Sequence, residues 1–234
     1  FNQGTRVATI KNLIDDIKYS LAWEYASNYT PDRTGQNRID ALRIISPTWI
    51  EVKDKNAEVT TTVNSNYINW AKEQNYTLWP TLKNDSISME DLSVIMNDMK
   101  LREKLINEVV EIAVANKFDG INLDFEEMYK EDKEMFSQFV RELSSTLRAN
   151  ELVSSVDVTI AGGSETYSLC YDRTAIGKVA DYVMLMAYDQ FGNWSDTAGP
   201  VASISWVEDN IEEELGDQLN RNYHLDEIIS FYLI

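Results

Sequence analysis

Apolar and polar positions along the chain follow two alternating rhythms. Short apolar or strictly alternating runs cover 18–25, 41–50, 76–82, 118–126, 152–160 and 182–188 and predict β-strands; 227–233 has the same character. Between them, 67–74, 100–117, 132–148, 174–179 and 206–215 carry the helical period. In 100–117, Leu101, Leu105, Val109, Ile112 and Ala113 share one side; in 132–148, Phe136, Phe139, Val140, Leu143 and Leu147 do the same. Asp172 precedes a helical stretch and suits an N-cap. Strands separated by helices require crossover connections and therefore a parallel sheet.

Six clear strand–helix units and a seventh strand predict an α/β fold, a TIM-type (β/α)8 barrel, rather than a doubly wound sheet. A nucleotide-binding sheet needs a Gly-rich first turn, and Ala-Ser-Asn-Tyr-Thr-Pro-Asp-Arg after Tyr25 does not provide one. Gly162-Gly163-Ser164 lacks the following Lys of a phosphate loop and reads as a tight turn off the fifth strand. Residues 1–16 read as a lead or linker and 17–234 as one barrel domain.

The run 118–126 is the most informative. As a strand it places Ile121, Leu123 and Phe125 on one face and Asn122, Asp124 and Glu126 on the other. Carboxylates are rarely buried without a partner or a purpose. Barrel enzymes keep their reacting groups at the C-terminal ends of strands. Residues two apart on a strand lie roughly 6–7 Å apart, so two ionised carboxyls there repel and one pKa rises. A raised carboxyl is what a general acid needs near neutral pH. Glu126, the outermost, takes that role over Asp124. The alternative is a polar face paired with interior water or with cations from neighbouring strands, of which the other candidates offer few.

Composition narrows the partners. The chain has 39 acidic and 21 basic residues, net charge −18, which argues against nucleic acid or an anionic membrane surface. One cysteine, Cys170, excludes an internal disulfide and a cysteine metal site. One histidine, His224 in a polar connector, makes a Ser-His-Asp triad improbable. No apolar run is long enough to span a bilayer, and the N-terminus lacks a signal-peptide pattern, so any export signal would lie outside this chain.

Asp119-Gly120-Ile121-Asn122-Leu123-Asp124-Phe125-Glu126 resembles the Asp-x-x-Asp-x-Asp-x-Glu strand signature of glycoside hydrolase family 18, and Met186-Ala187-Tyr188-Asp189 resembles its sixth-strand motif. Further stretches look like the bacterial spore and cell-wall N-acetylglucosaminidase branch: Thr30 to Arg33, Ile45 to Trp49, Ser155 to Thr159 with Gly162-Gly163, and Ala198 to Ser203 running into Trp206. The resemblance implies substrate-assisted hydrolysis, in which the sugar's N-acetyl oxygen attacks the anomeric carbon. Glu126 would be the proton donor, Asp124 would hold the acetamide N–H, Tyr188 would donate to its oxygen, and Met186 and Asp189 would shape the subsite. It implies no metal and no cofactor. Two departures stand out. The family's middle Asp is Asn122 here, which implies one charge fewer beside Asp124 and a modest effect on the pH profile. The chain also stops where family members continue, implying a barrel incomplete after the sixth or seventh strand.

Trp23, Trp49 and Trp79 fall near strand ends and Trp194 follows the sixth strand, as sugar-stacking platforms would; core packing is the competing reading for Trp49 and Trp79. Asn84 and Ser86 could touch sugar hydroxyls. The expected partner is therefore an N-acetylglucosamine-containing glycan, with no nucleic acid and no membrane insertion. The expected activity is retaining cleavage of β-1,4-linked N-acetylglucosamine in spore-cortex or cell-wall peptidoglycan, outside the cell. Chitin is the rival substrate; a non-catalytic glycan-binding barrel and a structural coat protein are the rival classes.

Overall fold

The computed structural model of the chain describes residues 20–219 and 228–230, so the lead at 1–16 and His224 lie outside the described residues. The elements run in chain order as β1 (Leu21–Glu24), β2 (Ile44–Pro47), β3 (Ile50–Val52), β4 (Val59–Thr61), α1 (Ser65–Glu73), β5 (Thr77–Leu78), β6 (Thr81–Lys83), α2 (Met89–Asn97) and α3 (Met99–Asn116). There follow β7 (Gly120–Asp124), α4 (Lys133–Ala149), β8 (Val153–Thr159), α5 (Arg173–Gly177), β9 (Tyr182–Met186), α6 (Ile204–Leu219) and β10 (Ile228–Ser230).

Two expected strands are each broken in two. The run 41–50 becomes β2 and β3, and 76–82 becomes β5 and β6, with breaks at Thr48-Trp49 and Trp79-Pro80. The first halves build a three-stranded parallel sheet, β1-β2-β5; the second halves join a seven-stranded sheet, β10-β9-β8-β7-β6-β3-β4. Proline explains part of this, because Pro80 cannot donate a ladder hydrogen bond. Its carbonyl still accepts from Asn122 N at 3.1 Å, and Leu78 O accepts from Asp119 N at 3.0 Å, which ties both halves to β7. The result is a parallel wall whose strands follow one another in chain order. Only β4, an unexpected hairpin arm on β3, is antiparallel. Among the described residues no ladder joins β1 to β10, so the parallel wall is not a closed ring there.

The helices form where the periodicity placed them, and their ends have clear causes. Asn64 caps α1 and Asp98 caps α3 by accepting from the first backbone N–H groups, and Lys117 ends α3 in the left-handed region at φ 55°. Asp172 Oδ1 accepts from Ala175 N at 2.9 Å, the expected cap on α5. Helix α2 was not expected; Asp98 alone separates it from α3, ending one helix and capping the next. Gly162 adopts φ +73°, the turn expected off the fifth strand.

The wall has an oily outer face and a graded inner one. Ile121, Leu123 and Phe125 are buried outside it beneath the helices, with Phe125 stacked on Phe139 at 5.7 Å. Inside, the strand starts are apolar: Leu21, Ile44, Trp79 and Met184 cluster with Val153 and Tyr182. The next rungs are polar, with Ser46 hydrogen-bonded to Thr81 at 2.8 Å and Asn122 fully buried. The strand ends carry charge: Lys83, Asp124 and Asp157.

Candidate active site

Strand β7 ends at Asp124, and the chain carries Glu126 just beyond it. Two neighbours pin this exit. Asn84, buried after β6, accepts from Glu126 N at 3.0 Å and donates to Glu126 O at 2.8 Å. Tyr171 Oη donates to Phe125 O at 2.7 Å. Glu127 then turns away in the left-handed region at φ 50°. The expectation that Asn84 touches sugar is corrected: both ends of its amide are spent on the Glu126 backbone. Ser86 likewise hydrogen-bonds Glu51.

The acids under Glu126 are shifted by their surroundings. Burial raises the Glu126 carboxyl above its ordinary range, helped by Asp85, Asp189 and Glu127. Burial, then Glu126 and Asp85, raise Asp124 to about 7, against a weaker opposing pull from Lys83. Asp124 Oδ1 is sealed from solvent with no hydrogen-bond partner among the described residues. Tyr188, just past β9, lies in the field of Asp157, Asp124, Glu126 and Asp189; with burial as the main cause its hydroxyl stays protonated, a neutral donor. Met186 is buried at the end of β9, and exposed Asp189 follows at φ 64°. Glu126, Asp124, Tyr188, Met186 and Asp189 therefore come together at one end of the wall, with Asn122 one rung below.

Two groups were missed. Lys83 ends β6 opposite Asp124, an inward cation on a neighbouring strand. Its ammonium pairs with Asp85 and, at 3.7 Å, with Glu51, so Glu126 keeps no cationic partner from it. Asp157 on β8 is fully buried and accepts from Asn122 Nδ2 at 2.6 Å, while Ser155 Oγ donates to Asn122 Oδ1 at 2.5 Å. Ser155 and Asp157 alternate with Val156 and Val158 just as Asn122 and Asp124 do with their apolar neighbours, so the signal was available.

The tryptophans divide. Trp49 is buried outside the wall, 5.2 Å from Tyr67 and 5.9 Å from Phe118, its indole donating to Thr30 Oγ1 at 3.0 Å. Trp79 packs on Tyr182 at 5.2 Å at the far end from Glu126. Both are core residues, which corrects the platform expectation: each break in its strand turns the ring into packed space. Trp23 is partly buried inside the wall and hydrogen-bonds towards Asp157. Trp194 is 65% exposed, and Tyr25 and Tyr29 beyond β1 are 64% and 68% exposed, aromatic surface that the sequence pattern did not single out for the tyrosines. Among the described residues no cluster of His, Cys, Asp and Glu is arranged to hold a metal ion.

Acids gathered at the strand ends of a parallel α/β wall are what a glycoside hydrolase carries. The chain belongs to the glycosyl hydrolases family 18, whose model matches residues 21–231. It is similar to the glycosylase YvbX of Bacillus subtilis, 26% identical over 68% of this chain and 48% of that protein. It is also similar to the cortical fragment-lytic enzyme of Bacillus subtilis, 32% identical over 62% of this chain and 35% of the relative. The chain thus spans less than half the length of these relatives. Among solved structures, the spore cortex-lytic enzyme SleL of Bacillus megaterium superposes with a TM-score of 0.76 at 23% identity, covering 90% of this chain and 49% of that one. A chitinase from Chromobacterium violaceum gives 0.75 at 22% identity, covering 90% and 67%. Family membership implies the TIM-type barrel that the strand alternation predicted.

Proposed function

We propose that the chain hydrolyses β-1,4-linked N-acetylglucosamine in spore-cortex or cell-wall peptidoglycan, with retention, using the substrate's acetamide as nucleophile. The observation that carries this reading is Glu126, held by its backbone at the strand end with its carboxyl raised above the ordinary range, two residues beyond half-buried Asp124. Glu126 gives its proton to the departing glycosidic oxygen. The acetamide oxygen bonds to the anomeric carbon as the glycosidic bond breaks, leaving an oxazolinium ion. Asp124 orients the acetamide N–H and offsets the positive charge; Tyr188 donates to the acetamide oxygen, and Met186 floors the pocket. Glu126, now a carboxylate, takes a proton from water as that water opens the ring from the face the leaving group vacated. Exposed Tyr25, Tyr29 and Trp194 offer faces on which further sugar rings stack. No metal or cofactor enters any step.

The peptidoglycan assignment draws on the cortex-lytic names of the relatives, and action at the spore or wall surface follows from it. No helix among the described residues is long and apolar enough to cross a membrane. Glu126→Gln should lower kcat by at least about a thousandfold while sugar binding survives, since the loss falls on proton transfer. A thiazoline that mimics the oxazoline should inhibit the unmutated protein. Products from cortex muropeptides compared with chitin oligomers decide between the two glycans. Binding without any turnover would make the chain a lectin.

A further inference from the structure

Strand β7 pairs with β8 in parallel up to the rung of Leu123 with Val156; the next residues along are Asp124 and Asp157. Neighbouring strands lie about 4.8 Å apart, so the two carboxyls are inward neighbours on adjacent strands. Asn122, one inward rung below Asp124 on β7, reaches across the seam to β8. Its amide oxygen is fixed by Ser155 Oγ at 2.5 Å, so its nitrogen must donate, and it donates to Asp157 Oδ2 at 2.6 Å. Asp157 is 0% exposed; Asp124 is half-buried, with its Oδ1 sealed and without a hydrogen-bond partner among the described residues. The groups acting on Asp157 are Asp124, Asn122, Glu126 and the Trp23 indole, two acids and two neutral donors. Those acting on Asp124 are Glu126, Asp85 and Lys83. Lys83 is held by Asp85 and Glu51 instead.

We propose that Asp157 is a positioning residue that shares one proton with Asp124 across the β7–β8 seam, keeping a single negative charge beneath the sugar. A buried pair of like acids with no cation between them cannot hold two charges at neutral pH. Oδ2 of neutral Asp157 accepts from Asn122, and its Oδ1 hydroxyl is the donor that Asp124 Oδ1 otherwise lacks. When Asp124 must be anionic against the oxazolinium charge, the proton resides on Asp157. When Asp124 is the protonated member, Asp157 carries the charge and Asn122 and Trp23 stabilise it. The number of protons on the pair does not change between these two arrangements. The charge that Asn122 removes from the β7 signature is thus returned by the neighbouring strand. The role assigned here rests on the proposed hydrolysis, but the arrangement can be read without any turnover.

The test is a carboxyl carbon-13 NMR titration of the whole chain, with Asp157→Asn beside it. In the unmutated protein the pair should hold one proton near neutral pH, and both carboxyls should report the same two coupled steps. In Asp157→Asn, which can still accept from Asn122, Asp124 should titrate in one step displaced to lower pH by about one unit or more. The acid limb of kcat should follow it, with KM changed less than about threefold. The double variant Asn122→Asp/Asp157→Asn moves the acid to the other side of the same bridge and should restore two-step behaviour. Both carboxyls ionised together between pH 5 and 6, or an Asp124 titration unmoved by Asp157→Asn, overturns the proposal. If the variant fails to fold, the unmutated titration alone decides. Absence of hydrolysis in a chain whose pair titrates as described would overturn the proposed function and leave the shared proton standing.

Discussion

At the scale of single residues, the site depends on how each acid is held. Asn84 acts on Glu126 without touching it as a side chain: it fixes the backbone from which the carboxyl projects. Asn84→Ala should lower kcat about ten- to a hundredfold with KM little changed, because a general acid displaced by an ångström loses its alignment. A fall in thermal stability alone, with kcat intact, would limit Asn84 to the fold. The acids also mark stability. Asp124 is raised to about 7, above its unfolded value near 4, so the folded chain binds more protons than the unfolded one between those pH values. Its contribution is therefore most favourable below about pH 4 and is lost as pH rises through about 7. In Asp124→Asn that descent should flatten, as thermal melts from pH 5 to 8 would register. The sequence disclosed Glu126 and Asp124 because polar and apolar positions alternate so cleanly from Ile121 to Glu126. The same alternation on β8 marked Asp157 but went unread, and Lys83 escaped because the apolar run ends at Leu82.

At the scale of elements, long regular helices were legible and broken strands were not. Helix α4 buries the stripe its periodicity defines, whereas α3 buries Leu105, Val109 and Ala113 of its stripe together with Arg102, Ile106 and Val110, leaving Leu101 and Ile112 half-buried. The breaks within 41–50 and 76–82 are invisible to hydrophobic pattern, since both halves of each run are apolar and both carry a buried Trp near the join. Short α2 escaped notice because it abuts α3, and β4 because Val59-Thr60-Thr61 is half polar. Gly120 opens β7 where a Cβ would stand 2.6 Å from Val153 O and 2.9 Å from Trp79 Cδ1. Backbone cannot retreat cheaply, so Gly120→Ala should cost about 1–3 kcal/mol of stability by denaturant titration. A neutral result would mean that the strand start is looser than its contacts indicate.

At the scale of the molecule, charge governs encounter with substrate. The net charge is −18, and peptidoglycan carries carboxylates whereas chitin oligomers are neutral. Raising ionic strength from 10 to 150 mM shortens the Debye length from about 30 to about 8 Å and screens that repulsion. KM for cortex material should therefore fall with salt while KM for neutral oligomers stays flat. An equal response to salt for both would show that steering is local to the cleft. The overall α/β layout was legible because strand and helix periods alternate along the whole chain. The lack of a β1–β10 ladder among the described residues was not, because pairing between first and last strands leaves no mark in local pattern.

The apolar plug of Leu21, Ile44, Trp79 and Met184 has a consequence for hydrogen traffic. With the base of the wall stoppered among the described residues, hydrogens of the interior acids leave towards the strand ends, the side where the proposed glycan would dock. A sugar docked there in the proposed complex would slow that exchange.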